Sequence, residues 1–191
     1  HGSEVDEPVI WLDGLDIPLV QLLDAGFCED LGADQQPVQR PAGDALARYG
    51  ANLLPVDFKP PGQASPVFAY PYTRTREALH HVSRGSAMHT AHGFKMRYVN
   101  PATGGHVFPT IASFMQLLPR SFAGQAFRST DATVYVVIEG RGRSIVGGMT
   151  FEWQPLDIFV VPSWCSCRHQ AEQDAVLFSL SDRVVQEKLG L

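Results

Sequence analysis

The residues best suited to chemistry cluster near the end of the chain, in Cys165-Ser-Cys167-Arg-His169. Thiolates and imidazole are the ligands zinc prefers, and alternate residues of a strand point to one side. A zinc site here would need the usual Cys-x-x-Cys spacing and a fourth partner, and the stretch has neither. An ordinary disulfide between Cys165 and Cys167 is excluded by strain, because two cysteines so spaced cannot reach bridging geometry. The simpler reading is a barrel rim lined with small residues. Met88-His89-Thr-Ala-His92 spaces its histidines too loosely for a site and reads as loop. His80-His81 falls in a helical stretch and reads as solvated, as do Arg74 and Arg76. The two arginines could otherwise meet a carboxylate-bearing substrate or a subunit contact.

The elements that must carry these residues are short and β-rich. Val134–Ile138 and Ile158–Val161 flank turn signals at Gly140–Gly142 and Gly147–Gly148, and Ala175–Leu180 follows about one hairpin later. Branched and aromatic runs punctuated by glycine predict an antiparallel all-β unit, a jelly roll or barrel. Upstream, Lys95 to Gly105 predicts a strand with a tight turn, and Thr110–Leu118 an apolar strand. Ser179 to Leu191 predicts a short helix after the last strand.

The first half is less regular. Pro8 to Asp13 alternates like a strand, and Gly14 turns it. Asp16 is placed to cap a helix with Pro18 in its first turn. Leu19, Leu22, Leu23 and Phe27 form a stripe expected to pack into a core. Gly43–Leu54 predicts a short helix capped by Asp44, Pro60-Pro61-Gly62 a linker. Thr73–Arg84 predicts a helix capped by Thr73 or Thr75, with Arg76, His80 and Arg84 on one face.

The bulk numbers narrow the function. The chain has 191 residues, 45% of them hydrophobic, and a net charge of −5. An acidic balance gives no electrostatic footprint for nucleic acid. No apolar run approaches the ~20 residues of a membrane span, and no signal peptide is visible. Three cysteines without framework spacing fit a reducing cytoplasm. A first residue other than Met implies a tagged, processed or truncated chain.

Glu139-Gly-Arg-Gly142, a hairpin, Pro155-Leu-Asp157, an apolar strand and Pro162 together resemble the two signature stretches of the cupin barrel. In metal-binding cupins a His-x-His pair lies about a dozen residues before the Glu-Gly, with another histidine five residues after the proline. Those positions fall on Phe127, Ser129 and Cys167, with His169 two residues further on, as a possible remnant ligand. The resemblance therefore implies a barrel without the three-histidine cup.

Longer strings narrow the family. Asp6-Glu-Pro-Val-Ile-Trp-Leu-Asp-Gly-Leu-Asp-Ile-Pro18, Arg97-Tyr-Val-Asn-Pro-Ala-Thr-Gly-Gly105, Arg128-Ser-Thr-Asp-Ala-Thr-Val134 and Phe178-Ser-Leu-Ser-Asp-Arg183 together resemble the gentisate 1,2-dioxygenases, two-cupin iron enzymes. The resemblance covers essentially the whole chain. It implies a mainly β cupin (a double-stranded β-helix, jelly-roll-like) with a helical N-terminal linker. Residues 1–15 would be the final strand of a missing N-terminal cupin, residues 16–93 the linker, and residues 94–191 the C-terminal cupin.

It further implies that Fe(II) is held by the missing N-terminal cupin, with no cofactor or metal expected in this chain. Gentisate and O2 would be the substrates and maleylpyruvate the product. The whole protein would be a cytoplasmic homo-oligomer, a tetramer by family resemblance, with no nucleic-acid or membrane partner. His1 matches a family histidine close to the substrate and O2, and Asp13 an aspartate at the substrate pocket. Their simpler readings are a terminal residue and a turn residue before Gly14. A salicylate or 1-hydroxy-2-naphthoate 1,2-dioxygenase is the alternative within this chemistry. A metal-free structural cupin module is the alternative outside it.

Overall fold

The computed structural model describes residues 6–60 and 62–191. The chain divides into two compact units at Pro37/Val38. Among its described residues the first contains one short helix, α1 (Ile17–Leu22), with Asp16 at its N-cap position and proline in its first turn. Pro8 to Asp13, expected as a strand, is irregular and exposed. Alternation fixes which way side chains point, but a strand exists only when a neighbour takes up its backbone groups. No β-ladder or bridge among the described residues includes this stretch. The expected apolar stripe also fails to form a buried face. The helix ends at Leu22, and Phe27, beyond it, is 91% exposed.

The second unit begins with α2 (Asp44–Tyr49) and α3 (Tyr72–Gly85). Asp44 is not the cap of α2. Gly43 holds that position with φ +79°, and Asp44 is the first helical residue. Its carboxylate accepts hydrogen bonds from Arg48 and Arg40 instead. Pro71 holds the N-cap position of α3, which places Thr73 and Thr75 inside the helix. The Thr75 hydroxyl donates back to the Pro71 carbonyl at 3.4 Å.

Eight strands follow: β1 (Phe94–Arg97), β2 (Ala112–Leu118), β3 (Thr133–Glu139), β4 (Gly142–Val146), β5 (Met149–Trp153), β6 (Ile158–Val161), β7 (Cys167–Ala171) and β8 (Ala175–Ser181). They form two antiparallel sheets, β1-β2-β8-β3-β6 and β5-β4-β7. The expected jelly-roll architecture is present, closed by α4 (Arg183–Leu189). The β4–β5 hairpin turns on Gly147-Gly148 with φ +58° and +88°. Two successive positive φ values are what a tight hairpin twisted like its strands requires, and glycine adopts them without a Cβ penalty. Gly142 meets a different demand. A Cβ there would lie 2.2 Å from the Gln170 carbonyl oxygen and 2.5 Å from the Trp153 ring.

Strand parity sorts the side chains. One face of the sheets turns inward and buries Leu118, Tyr135, Val137, Val146, Trp153, Phe159, Cys167 and Leu177 in one cluster. The opposite face of β1, β2 and β8 presents Phe94, Met115, Leu117 and Val176 to α3. Leu79, fully buried, anchors that helix, a burial worth about 1.5–3 kcal/mol. At one end Tyr72 donates a hydrogen bond to Glu139, and Arg76 pairs with the same carboxylate at 3.0 Å. His80 and His81 are exposed on the far side, as expected.

Candidate functional site

The inner face of the barrel gathers the chemically capable residues. On β7, alternation aims Cys167 and His169 inward, so both lie in the core rather than on the rim. Phe127 exchanges backbone hydrogen bonds with Cys167 at 2.8 and 2.9 Å, forming an isolated bridge. Its ring stands edge-on to His92 at 4.4 Å and lies 5.8 Å from His169. Tyr135 and Phe159, stacked at 5.0 Å, complete an aromatic box around the His169 imidazole.

His169 is fully buried and held by a chain of hydrogen bonds. Trp153 Nε1–H donates to Ser144 Oγ at 2.9 Å, and Ser144 Oγ lies 2.8 Å from His169 Nδ1. The arrangement satisfies every group if the Ser144 hydroxyl donates to Nδ1, which puts the imidazole proton on Nε2. Burial, reinforced by Lys95 and His92, pushes the His169 pKa down to about 3. Burial also lowers His92 to about 4, helped by Lys95. The Cys167 thiol is pushed up to about 12 by burial and by Cys165 beside it. At neutral pH all three are uncharged.

The other position of interest, Ser129, belongs to a separate network. Its hydroxyl donates to Asp131, which also accepts from Ser181, from Thr133 at 3.3 Å and from Arg183 at 2.9 Å. Arg183 also reaches Ser129 Oγ at 3.0 Å. Burial raises the Asp131 pKa, but the hydrogen bonds from Ser129, Ser181 and Arg183 outweigh it. The carboxylate ends below its usual range.

These residues do not fit a ferrous ion. Phe127 offers no donor atom, Ser129 is committed to Asp131, and Cys167 supplies a thiol where an oxygen-activating ferrous site takes imidazole or carboxylate. His169 is the imidazole of β7, and its Nδ1 is already hydrogen-bonded to Ser144. Among the described residues no three of His, Cys, Asp or Glu converge as a metal site. The Cys165-Cys167-His169 zinc arrangement is likewise not built. Cys165 Sγ faces the Ser166 carbonyl at 3.9 Å, while Cys167 and His169 point inward. His89-x-x-His92 is a turn device. His89 Nδ1 accepts from the backbone N–H of Ala91 and His92 at 3.1 and 3.2 Å.

Asp13 is exposed in irregular chain of the first unit, and His1 lies outside the described residues. An apolar groove of about 270 Å³ lies on the outer face, lined by residues including Val67, Tyr70, Tyr98, Phe108 and Phe178. Sequence reading missed the inward polar residues Lys95, Gln116, Ser144 and Ser179. Their signal was available: each holds the inward parity position of a strand, where an apolar residue is the default.

Two antiparallel sheets closed face to face, joined through the Glu139–Gly142 and Pro155–Asp157 turns, define a cupin-type barrel. No protein-family model matches the chain. It is 55% identical over 190 residues to gentisate 1,2 dioxygenase 1 of Aquipseudomonas alcaligenes, covering 100% of this chain and 55% of that protein. It is 36% identical to 5-aminosalicylate 1,2-dioxygenase of a Comamonas species, over 100% of this chain and 51% of the relative. Among solved structures, a variant of salicylate 1,2-dioxygenase from Pseudoaminobacter salicylatoxidans superposes with a TM-score of 0.83 at 34% identity. That match covers 98% of this chain and 54% of the other. The chain belongs to the gentisate 1,2-dioxygenase family and spans about half the length of the curated relatives it matches.

Proposed function

We propose that this chain is the C-terminal part of an Fe(II)-dependent ring-cleaving dioxygenase that converts gentisate and O2 to maleylpyruvate. The observation that carries the reading is the 55% identity over the whole chain to a gentisate 1,2-dioxygenase. Gentisate is favoured over other ring substrates by that figure, against 36% for the aminosalicylate enzyme and 29% for a 1-hydroxy-2-naphthoate enzyme. A salicylate 1,2-dioxygenase structure described as an adduct with gentisate, 32% identical, is consistent with that preference.

In this reading the iron is held by an upstream barrel, because the donor set of this one does not suit it. The barrel described here serves as scaffold and assembly surface in a cytoplasmic homo-oligomer, a tetramer by family likeness. His1 and Asp13 lie beside the aromatic substrate, where an imidazole can donate a proton or hydrogen bond and a carboxylate can accept one. Domain boundaries at residues 15 and 93 belong to the same proposal.

The test compares two preparations in gentisate-dependent oxygen uptake with added Fe(II). The protein isolated from its native host should consume O2 and carry about one iron per subunit. The 191-residue chain should do neither. Iron-dependent turnover by the pure 191-residue chain would overturn the assignment of the iron to an upstream barrel. Absence of gentisate-dependent uptake by the native protein would overturn the substrate.

A further inference from the structure

We propose that the interior of this barrel binds a small monoanion, of carboxylate or halide size, between Lys95, Gln116 and Ser179. The three residues follow from the sheet register. Lys95 of β1 is the direct partner of Gln116 on β2. Ser179 of β8 lies directly opposite both Phe114 of β2 and Tyr135 of β3. The Lys95 ammonium lies 4.6 Å from the centroid of the Phe114 ring and 5.7 Å from that of Tyr135. It is therefore suspended over the two residues that flank Ser179, on the inward side of the sheet.

The groups around it have nothing to bind. Gln116 is fully buried with both its Oε1 and its Nε2 unpartnered, and Ser179 is fully buried with its hydroxyl unpartnered. A buried polar group without partners is costly, so two such side chains on neighbouring strands of one inward face point to an occupant. Ion pairs among the described residues leave Lys95 without a carboxylate. Asp131, the acid that faces it, is committed to Arg183, Ser129 and Ser181. His92, His169 and Cys167, which also face it, are neutral at pH 7 and bring no negative charge.

Water alone would satisfy Gln116 and Ser179 but would leave the ammonium without a counter-charge in a desolvated site. A monoanion supplies that charge and accepts from the Gln116 amide N–H and the Ser179 O–H, while Gln116 Oε1, an acceptor, is left to the ammonium. The ammonium, the Gln116 amide N–H and the Ser179 O–H are all donors. Leu118, Tyr135 and Leu177 belong to the buried cluster on the same inward face, so a guest of few heavy atoms is the one proposed. Lys95 lies on β1, the edge strand of its sheet, and is half-buried as a whole residue, while its ammonium is desolvated enough to lower its pKa to about 8. The site stands independently of the ring-cleavage reading.

Two measurements test it. Crystals soaked in sodium bromide should show an anomalous peak within hydrogen-bond reach of Lys95 Nζ. A peak-free site, or one filled only by water, overturns the proposal. In solution, formate or bromide at constant ionic strength should raise the melting temperature saturably, by about 5 °C at hundredfold excess over the Kd. Lys95→Met should melt cooperatively and lose that saturable rise, and Gln116→Leu should weaken it. An unchanged rise in Lys95→Met overturns the site. If Lys95→Met does not fold, the bromide peak in the unmodified protein decides. Formate competing away the bromide peak identifies a carboxylate as an accepted guest, and failure to compete restricts the site to halide.

Discussion

Ser144 and His169 are direct register partners on β4 and β7, and their side chains meet at 2.8 Å inside the barrel. Removing the serine hydroxyl strands two groups at once, the His169 Nδ1 and the Trp153 Nε1–H that donates to it. Ser144→Ala should therefore cost about 1–3 kcal/mol in chemical denaturation. Adding His169→Phe, which removes the second polar partner and suits the aromatic box, should recover part of that loss. A double variant no more stable than Ser144→Ala would show that the hydrogen-bond chain is not the source of the cost.

The buried histidines make stability fall in mild acid. His169 and His92 have folded-state pKa values pushed down to about 3 and about 4, whereas in the unfolded chain histidine titrates near 6.5. Between those limits the unfolded state binds protons that the folded state refuses, so stability drops as pH falls below about 6.5. It is fully present above that pH. Unfolding free energies measured from pH 7.5 to pH 4.5 should show this slope, and His169→Phe should make it shallower. An unaltered slope in that variant would remove His169 from the account.

Asp131 and Arg183 form a half-buried pair that ties β3 to the start of α4. Arg183→Ala leaves a largely buried carboxylate with only hydroxyl partners, and breaking such a pair from one side costs up to about 3–5 kcal/mol. The guanidinium here is partly exposed, so the lower part of that range is expected. Asp131→Asn should additionally remove the stability lost as pH falls below about 4, because the folded-state carboxylate titrates below the unfolded one. Urea unfolding of the variants at pH 7 and pH 3.5 checks both statements.

The three cysteines should separate cleanly in thiol labelling. Cys28 is exposed, Cys165 half-buried and Cys167 buried, with all three thiols free. Reaction follows the thiolate and its access. Cys28 should label rapidly at pH 8, whereas Cys167, pushed up to about 12, should label only with unfolding. Peptide mapping after timed labelling distinguishes them. Fast modification of Cys167 in the native protein would place it at an open rim instead of in the core.

The strand residues by themselves determined the barrel. Val134–Ile138, Ile158–Val161 and Ala175–Leu180 carry enough branched and aromatic side chains, and Gly147-Gly148 enough turn preference, that β3, β6, β8 and the β4–β5 hairpin follow from local chemistry alone. The ordered strings around Asp6, Arg97 and Arg128 likewise carried the family, because long sequence matches survive without any geometry. Pairing was not legible. Pro8 to Asp13 has the alternation of a strand but joins no β-ladder among the described residues, and alternation cannot report a pairing strand.

Helix starts were legible only to within one or two residues. Asp44 and Thr73 have capping chemistry, yet the backbone begins its turns at Gly43 and Pro71. The interior chemistry belonged wholly to the tertiary structure. Cys167 and His169 read as rim or zinc residues until β7 turned them into the core. There burial disfavours every charged form and leaves them neutral. The convergence of Lys95, Gln116 and Ser179 depends on the register of strands far apart in sequence. Only closure of the barrel sets that register, since a shift of one residue would turn all three outward.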